Sequence, residues 1–298
     1  MRRRIASDAG RQLPKDLGQS NIAMDFNPEF CRQRVLRETL DAFEAIDPPD
    51  TYHQHAARNL ARWRSRAEAA PREMVVEVLP LDWGEATSRL TARFGQCFAV
   101  LNMANPVVPG GAYVEGAPAQ EENMFRRTDC HFAIDRSEMR PGEDWYRPEV
   151  TRLLEGRDGT VYLDMASPRV CIRGPEDRSV PGLGYRWLAE DEVFPFFELR
   201  SAAVSRSDGR PFDEVEMRRR IVAQLETLQA AGIRHAVLGA FGCGAFGNPA
   251  ERVAAIYRSE LQRRSAAFSV IAFAVFHAGY GRDNFTPFAA EFGGVARH

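Results

Sequence analysis

The feature that most constrains this chain is an apolar run that leads into a glycine-rich turn and then a helix. In the first copy, apolar residues 97–101 precede a Pro-Gly-Gly turn at residues 109–111, and Gln120-Glu121-Glu122 follow at the start of a predicted helix. A strand that ends in such a turn offers free backbone N–H groups near the positive end of a helix dipole. This arrangement is typical of sites for phosphate and other anions.

The same arrangement recurs near the C-terminus. The apolar residues 235–240 lead into a second glycine-rich segment, 241–248, and Pro249 then opens an amphipathic helix at a position that proline favours. Two units of this kind predict two walls of one cleft that binds an anionic ligand. The alternation of apolar strands with amphipathic helices indicates an α/β fold.

The order of these motifs resembles that of a known family. Asn102-x-x-Asn105 and the Pro-Gly-Gly turn come first, a seven-residue gap separates Ala112 from Q-E-E, and G-x-F-G-C-G-x-F-G-N-P follows at residues 239–249. This order is similar to that of the bacterial poly(ADP-ribose) glycohydrolases of the macrodomain superfamily, over roughly residues 74–276. Either glycine motif alone would be weakly specific, whereas the two in this order are specific.

The resemblance implies a three-layer α/β/α macrodomain-like fold with a mixed sheet and an N-terminal helical extension. We expect a lead-in and helical extension over residues 1–72 and a catalytic domain over residues 73–298. The implied activity is that of an ADP-ribosyl glycohydrolase, which hydrolyses the O-glycosidic ribose bond of poly(ADP-ribose) or of ADP-ribosylated protein and releases ADP-ribose. No metal and no cofactor are implied.

Cleavage of a glycosidic bond needs an acid for the departing oxygen and a base for water, and one carboxyl group can serve as both in turn. By the resemblance, Glu122 is the catalytic acid/base and Glu121 anchors the ribose hydroxyls. Gln120 orients the ribose or the catalytic carboxyl group, and Asn105 contacts the ribose. A neighbouring negative charge raises the pKa of a carboxyl group and so helps to keep a proton available near neutral pH.

The glycine segments are expected to wrap the diphosphate of ADP-ribose, because glycine leaves backbone N–H groups unobstructed. Phe246 matches the family's aromatic residue that packs against the distal ribose, although plain core packing is the alternative. Cys243 has no evident histidine base and is expected to be structural. The predicted ADP-ribose-binding residues are Asn105, Pro109, Gly110, Gly111, Ala112, Gly242, Cys243, Gly244, Ala245, Phe246, Gly247 and Asn248.

One residue departs from the family pattern, since Ala112 stands where the family has a third glycine. If that position required a positive φ or close contact with phosphate, the methyl group would cost about 1 kcal/mol or more. Weaker binding, or a substrate such as mono-ADP-ribosylated protein, is then the expectation.

Other readings of these motifs remain open. Glu121 and Glu122 alone are also explained as a negatively charged first helical turn, worth about 0.3–1 kcal/mol against the dipole. A non-catalytic ADP-ribose-binding macrodomain needs the loops but no acid/base, and an interaction protein with a vestigial cleft would bind no ADP-ribose. A dinucleotide-binding fingerprint is disfavoured, because G-x-G-x-x-G lies far from the first strand. No Walker A motif is present.

The composition argues against duplex nucleic acid, metal ions and membranes as partners. The chain has 298 residues, a net charge of −2 and a pI near 6.3, so bulk charge does not favour duplex nucleic acid. Its five cysteines lack zinc-ligand spacing, and His53 and His55 do not converge on a helix, so no metal site is expected. No apolar segment predicts a membrane span, and Met1-Arg2-Arg3-Arg4 is not followed by a signal-peptide core, so we expect a cytoplasmic protein.

Several elements are predicted less directly. Residues 1–28 are expected to be a flexible lead-in, and the helix that carries Q-E-E is expected to span 119–132. Residues 141–159 are predicted to be a loop, and 161–164 and 169–172 two short strands of a hairpin. Arg218, Arg219 and Arg220 are expected to form a solvated helix face, with phosphate contact as the alternative. The tail beyond residue 279 carries no clear pattern.

Overall fold

The computed structural model describes residues 27–277 and 281–293. The lead-in predicted over residues 1–28 therefore lies almost wholly outside the described residues. Among these, the chain forms one six-stranded sheet with helices on both faces.

The sheet is mixed, with strand order β1-β6-β5-β2-β4-β3. Every neighbouring pair is parallel except β3 and β4, which are antiparallel. The carboxyl ends of the parallel strands therefore meet at one edge of the sheet, where open α/β folds place their ligand sites. The strands are β1 (Val75–Leu79), β2 (Ala99–Met103), β3 (Tyr162–Cys171), β4 (Phe194–Ser201), β5 (His235–Leu238) and β6 (Val270–Ala274).

The helices begin and end where local sequence signals place them. In the third helix, the Asp82 side chain accepts a hydrogen bond from the Glu85 N–H at 2.8 Å, and Gly95 ends the helix in the left-handed conformation. The helices are α1 (Pro28–Ala45), α2 (Thr51–Arg64), α3 (Trp83–Phe94), α4 (Gln120–Arg127), α5 (Pro148–Leu154), α6 (Glu214–Ala230), α7 (Ala250–Arg263) and α8 (Phe285–Phe292).

Alternate residues of each central strand face the two helical layers. In β2, Val100 packs in the core shared with α1, α3 and α4, whereas Ala99 and Leu101 pack in the core shared with α6, α7 and α8. The period of two along a strand produces this division. The predicted three-layer α/β/α fold with a mixed sheet is confirmed.

The two N-terminal helices pack against the layer that contains α4. The Thr39 hydroxyl of α1 donates to the Arg126 carbonyl at 2.7 Å, and Arg32 forms a two-pronged ion pair with Glu176 at 2.8 and 3.0 Å. In α2, the Asn59 amide donates to the Val193 carbonyl at 2.8 Å. These contacts fix both helices on the sheet, while the boundary at residue 73 stays a prediction.

Three secondary-structure predictions were wrong in their boundaries or in their type. Helix α4 ends at Arg127, because Thr128 is extended and its hydroxyl accepts from the Cys130 N–H at 3.2 Å, which opens a 3₁₀ helix over Asp129–Ala133. The expected hairpin is one strand, β3, which pairs with β4 on both sides of a register shift between Asp164 and Arg169. The predicted loop over residues 141–159 contains α5.

The arginine cluster of α6 was also partly mispredicted. Arg220 is buried and donates to the Ala202 carbonyl at 2.7 Å, so it holds α6 to the end of β4 instead of facing solvent. Arg218 pairs with Glu260 of α7 at 2.8 Å. Helix α8, in the unassigned tail, inserts Phe288 beside Phe273 at a ring-centroid distance of 5.1 Å. None of the described helices has the length and apolar character needed to cross a membrane.

Replacement of Arg127 tests how the α4 layer is held. Arg127 is buried, forms a short ion pair with Asp82, and stacks over the Trp83 ring at 4.7 Å. Arg127→Ala leaves the Asp82 carboxylate without its partner, so we expect a loss of about 3–5 kcal/mol in the free energy of unfolding by urea. The exposed pair of Arg152 and Asp158 supplies a control, since Arg152→Ala should cost about 1 kcal/mol or less. Equal losses for the two variants would contradict this account.

Candidate active site

Two adjacent carboxyl groups are buried at the start of α4. Glu121 is 3% exposed and Glu122 is 8% exposed, although ionisable side chains are seldom buried without partners. The carboxyl group of Glu121 accepts from the Asn105 N–H at 2.7 Å and from the Gly110 N–H at 3.1 Å. That of Glu122 accepts from the Ala112 N–H at 3.0 Å. The turn after β2 therefore supplies the hydrogen bonds that allow this burial.

Gly110 and Gly111 of this turn are glycines for different steric reasons. Both adopt the left-handed conformation, with φ of 71° at Gly110 and 58° at Gly111. A Cβ atom at Gly110 would lie 2.6 Å from the Tyr113 ring, and one at Gly111 would overlap the Glu122 carboxyl group. Close approach of the backbone to the carboxyl pair thus requires glycine at residue 111.

Ala112 does not have a positive φ. The backbone reason for a third glycine is therefore absent in this chain, and the strain considered for the alanine does not arise. Its N–H is directed at Glu122, so in this structure it holds the carboxyl group. The effect of the methyl group on a bound phosphate stays a prediction.

The pKa of Glu121 is raised well above its usual value. Burial is the largest cause, and the neighbouring charge of Glu122 adds to it, while the hydrogen bond from the Asn105 backbone acts in the opposite direction. Glu121 is the residue that the resemblance casts as the ribose anchor.

Gln120 uses its amide on the protein backbone. The side-chain nitrogen donates to the Leu101 carbonyl at 2.9 Å, and the side-chain oxygen accepts from the Met103 N–H at 2.9 Å. The side chain therefore continues the hydrogen bonding of β2 and fixes the first turn of α4 beside it. Of its two predicted roles, positioning of the carboxyl groups is the one that this geometry serves.

Asn105 is the first residue of the turn, and its side chain fixes the backbone of the residues that follow. Its side-chain oxygen accepts from the Val107 N–H at 2.8 Å and from the Val108 N–H at 3.0 Å, an Asx turn that starts the path toward Gly110. Pro109 is buried in the same turn. The ribose contact expected of Asn105 falls to its amide nitrogen and stays a prediction.

The second glycine loop is closed by Asn248. The Asn248 amide donates to the Val204 carbonyl at 2.8 Å and to the Gly242 carbonyl at 2.9 Å, which ties the loop to the end of β4. Gly242 has a φ of 71°, and a Cβ atom there would lie 2.6 Å from the Asn248 amide nitrogen. Asn248 is thus a loop-closing residue, and its predicted ligand contact stays a prediction.

Cys243 is buried, and burial raises the pKa of its thiol to about 12. The thiol is therefore protonated at neutral pH, which excludes a reactive thiolate there and agrees with the expected structural role. Gly244 and Ala245 are exposed, and a Cβ atom at Gly244 or Gly247 would meet no neighbour within 4 Å. The exposed backbone of this loop is open to a ligand.

The two loops follow neighbouring parallel strands. Strands β2 and β5 pair through Ala99 and Ala236, so both loops leave the same edge of the sheet. Phe246 is half-buried against the core of α6, α7 and α8, whereas Glu121 and Glu122 open α4 in the opposite layer. The two loops therefore lie at one edge of the sheet, and the prediction that they form the walls of one cleft is not tested by this pairing.

A buried charged cluster under the turn had not been identified from the sequence. Glu198 in β4 pairs with Arg169 of β3 at 3.1 Å and with Arg200 at 3.2 Å, and it accepts from the Asn102 amide at 2.9 Å. The charges of Glu198 and Arg200 both act on Glu121, in opposite directions. The sequence signal was the pair of charged residues two apart in an otherwise apolar strand, on one face of the sheet.

His53 and His55 do not form a metal site. His53 lies 3.0 Å from the Asp129 carboxylate, and His55 lies 3.9 Å from that of Glu190. Among the residues that the structure describes, no group of histidine, cysteine, aspartate and glutamate could hold a metal ion.

Part of the chain is similar to known proteins. Residues 36–153 match the family model described as the microbial-type PARG catalytic domain, where PARG is poly(ADP-ribose) glycohydrolase. The family resemblance read from the motifs is confirmed over these residues. The match includes the first glycine turn and Q-E-E, and the second loop lies outside it. A comparison with curated protein sequences finds no match.

Solved structures share the fold. PARG from Thermomonospora curvata has a TM-score of 0.60 at 24% identity, and its complex with the inhibitor ADP-HPD has a TM-score of 0.59 at 24% identity. Each comparison covers 88% of this chain and 99% of that chain. PARG from Deinococcus radiodurans in complex with ADP-ribose has a TM-score of 0.55 at 22% identity, over 82% of this chain and 92% of that chain.

Three glycine-turn variants test the steric account of the carboxyl pair. Gly111→Ala places a methyl group against Glu122 in a left-handed conformation, so we expect it to lower the free energy of unfolding by about 1–3 kcal/mol. In Gly244→Ala the added methyl group meets open space, and in Ala112→Gly the backbone conformation is one that alanine already adopts. Each variant should therefore change the free energy of unfolding by about 1 kcal/mol or less. Urea unfolding measures all three. If the Gly111→Ala protein were as stable as the Gly244→Ala protein, the close approach of the Gly111 backbone to the Glu122 carboxyl group would be refuted.

The raised pKa of Glu121 predicts a pH dependence. A carboxyl group whose pKa is higher in the folded than in the unfolded state stabilises the fold while protonated, and that stability is lost as pH rises through its folded pKa. Above the usual carboxyl range, wild-type stability should therefore fall relative to that of Glu121→Gln, which cannot ionise. Urea unfolding of both proteins from pH 4 to pH 8 measures the difference. A difference that does not change with pH contradicts the raised pKa.

Proposed function

We propose that this protein is an ADP-ribosyl glycohydrolase that hydrolyses the O-glycosidic ribose bond of poly(ADP-ribose) or of ADP-ribosylated protein and releases ADP-ribose. The observation that carries the proposal is the buried pair Glu121 and Glu122, held by N–H groups of a glycine turn beside a second glycine loop. The family match over residues 36–153 supports it. Glycoside hydrolysis requires carboxyl groups placed at the sugar, which is what this pair provides.

In the proposed reaction Glu122 acts at both steps. One of its carboxyl oxygens is held by the Ala112 N–H, and the other donates a proton to the departing glycosidic oxygen. The bond to C1 of the ribose breaks with its electron pair on that oxygen, and positive charge develops on the sugar. The same carboxylate then takes a proton from water as the water oxygen bonds to C1, which restores the acid.

Glu121 serves as the anchor of the ribose hydroxyls. Its buried position places it beside Glu122, and the amide nitrogen of Asn105 is the second group available to that sugar. Gln120 acts through the backbone of β2, and we therefore assign it to positioning of the two carboxyl groups.

The diphosphate is proposed to lie between the two loops. Gly110, Gly111 and Ala112 form the first wall, and the exposed residues Gly244 and Ala245 form part of the second. Phe246 is proposed to pack against the distal ribose. The N–H groups of Gly110 and Ala112 are occupied by the carboxyl pair, so the second loop is proposed to supply the backbone N–H groups that bind the phosphate oxygens.

The alternative is an ADP-ribose-binding reader without catalysis. A reader requires the two loops, but it gains nothing from the burial of two carboxyl groups near the sugar. Their desolvation is unfavourable, so a catalytic use of Glu122 accounts for it better. We also propose a reducing, cytoplasmic setting, which is supported by five free cysteines that form no disulfide.

Removal of the acid/base tests the proposed reaction. Glu122→Gln keeps the shape of the side chain and removes its proton transfer, so we expect kcat for ADP-ribose release from automodified polymerase to fall about 10²–10⁴-fold. The dissociation constant of ADP-ribose, measured by calorimetry, should change little.

Glu149→Gln is the matched control, because Glu149 is an exposed glutamate in the first turn of α5. It should retain wild-type activity. A wild-type protein that binds ADP-ribose but releases none from polymer or protein would support the reader, and one that binds no ADP-ribose would support a vestigial cleft.

A further inference from the structure

The second glycine loop leaves three successive backbone N–H groups open. In residues 27–277 and 281–293, which the structure describes, the N–H groups of residues 244, 245 and 246 donate to no acceptor. The next N–H, that of Gly247, closes a turn on the Gly244 carbonyl at 2.9 Å. Successive open N–H groups in a turn are an arrangement of backbone that binds anions. The shape of this turn therefore determines how well the loop binds a phosphate group.

The backbone of this loop is difficult to fix by packing. Glycine loses more conformational freedom on folding than any other residue, and the loop contains Gly242, Gly244 and Gly247. A Cβ atom at Gly244 or Gly247 would meet no neighbour within 4 Å, so no side chain packs closely around these two residues. The turn must therefore be held by hydrogen bonds to its backbone from outside the loop.

Arg206, in the segment that follows β4, makes these hydrogen bonds. Its backbone N–H donates to the Phe246 carbonyl at 2.9 Å, and its guanidinium Nη1 donates to the Gly247 carbonyl at 2.7 Å. The Nε of the same guanidinium donates to the Arg210 carbonyl at 3.0 Å. The planar guanidinium thus bridges the turn and its own segment, which fixes the turn at its last residue.

The guanidinium of Arg206 is bonded to carbonyl groups and not to a carboxylate. Within the described part of the chain no carboxylate oxygen lies within 4.0 Å of it, whereas the nearby Arg210 pairs with Asp208 at 2.6 Å. Hydrogen bonds from a charged donor are roughly twice as strong as those between neutral groups. A single side chain can therefore hold this glycine turn in one conformation.

We propose that Arg206 is a positioning residue of the second glycine loop, whose guanidinium holds the turn at Gly247 so that the open N–H groups of residues 244–246 fit the diphosphate of the ligand. The inference rests on the proposed function and assigns a residue outside both glycine motifs. Arg206 acts through the Gly247 carbonyl and not by touching phosphate. Its loss should weaken ligand binding and leave proton transfer by Glu122 in place.

Replacement of the guanidinium tests this role. Arg206→Met removes both side-chain hydrogen bonds, so we expect the dissociation constants of ADP-ribose and ADP, measured by calorimetry, to rise about tenfold, the effect of losing one hydrogen bond from a charged group. In the assay of ADP-ribose release, KM should rise by a similar factor while kcat stays within about twofold of wild type. Glu122→Gln should show the reverse pattern.

Arg206→Lys separates the geometry of the side chain from its charge. Lysine keeps the positive charge, but its single ammonium group lacks the planar fork that bonds the Gly247 and Arg210 carbonyls together. We therefore expect Arg206→Lys to bind ADP-ribose about as weakly as Arg206→Met. Wild-type affinity in the lysine variant would show that charge alone is needed, and would overturn the positioning role.

Two arginines supply matched controls. Arg210→Met removes an exposed side chain that pairs with Asp208, and it leaves the carbonyl that Arg206 uses. Arg234 also donates to a backbone carbonyl, that of Ala266 at 3.2 Å, but it precedes β5, whereas the second glycine loop follows that strand. Both Arg210→Met and Arg234→Met should leave the affinity for ADP-ribose unchanged.

Three other outcomes would overturn the inference. These are wild-type affinity in the Arg206→Met protein, an equal loss of affinity in the Arg234→Met protein, and a fall in kcat without a rise in KM. Urea unfolding of each variant verifies that the measured protein is folded. Failure of the proposed function is seen separately, as a wild-type protein that binds ADP-ribose, loses affinity with Arg206→Met, and cleaves neither polymer nor ADP-ribosylated protein.

Discussion

The structure depends on the burial of two adjacent carboxyl groups at the start of a short helix. An unpaired carboxyl group in such a place is strongly unfavourable, so each must find hydrogen-bond donors. The donors are backbone N–H groups of residues 105, 110 and 112, which reach Glu121 and Glu122 because two glycines in the left-handed conformation bring the turn close. The position of the carboxyl groups and the shape of the glycine turn are therefore one constraint.

Contacts outside the glycine turn also hold α4, the helix that carries the two carboxyl groups, in place. Gln120 attaches the first turn of α4 to β2, and the last turn is held by the ion pair of Arg127 with Asp82. Helix α1 binds the backbone of α4 through Thr39. Beneath the turn, Glu198 and Arg200 act on Glu121 with charges of opposite sign. Both ends of α4 are thus fixed, which is what a short helix needs to hold two side chains in place.

Much of this could be predicted from local sequence. Helix α3 follows from its capping aspartate and closing glycine, and the carboxyl pair and both glycine loops follow from strand, turn and helix signals that lie within a few residues of each other. The apolar runs at residues 97–101 and 235–240 also placed β2 and β5 within about two residues. Where the signal is local, the structure and the sequence agree.

The remainder depends on contacts that are distant along the chain. The single strand β3 was read as two because Pro168 and the register shift interrupt its pattern, and its continuity is fixed only by pairing with β4. The loop-closing role of Asn248 depends on the carbonyl of Val204, and the burial of Arg220 depends on that of Ala202. No spacing rule within one segment reports such partners, which is also why the cluster around Glu198 was missed.

A crystal structure of the Glu122→Gln protein with ADP-ribose tests the central claim most directly, namely that both glycine loops and the carboxyl pair serve one ligand. The account predicts that the diphosphate lies between the two loops and accepts hydrogen bonds from backbone N–H groups of the second loop, and that C1 of the terminal ribose lies beside the side chain of residue 122. A diphosphate in contact with one loop alone, or a terminal ribose directed away from residues 121 and 122, would contradict it.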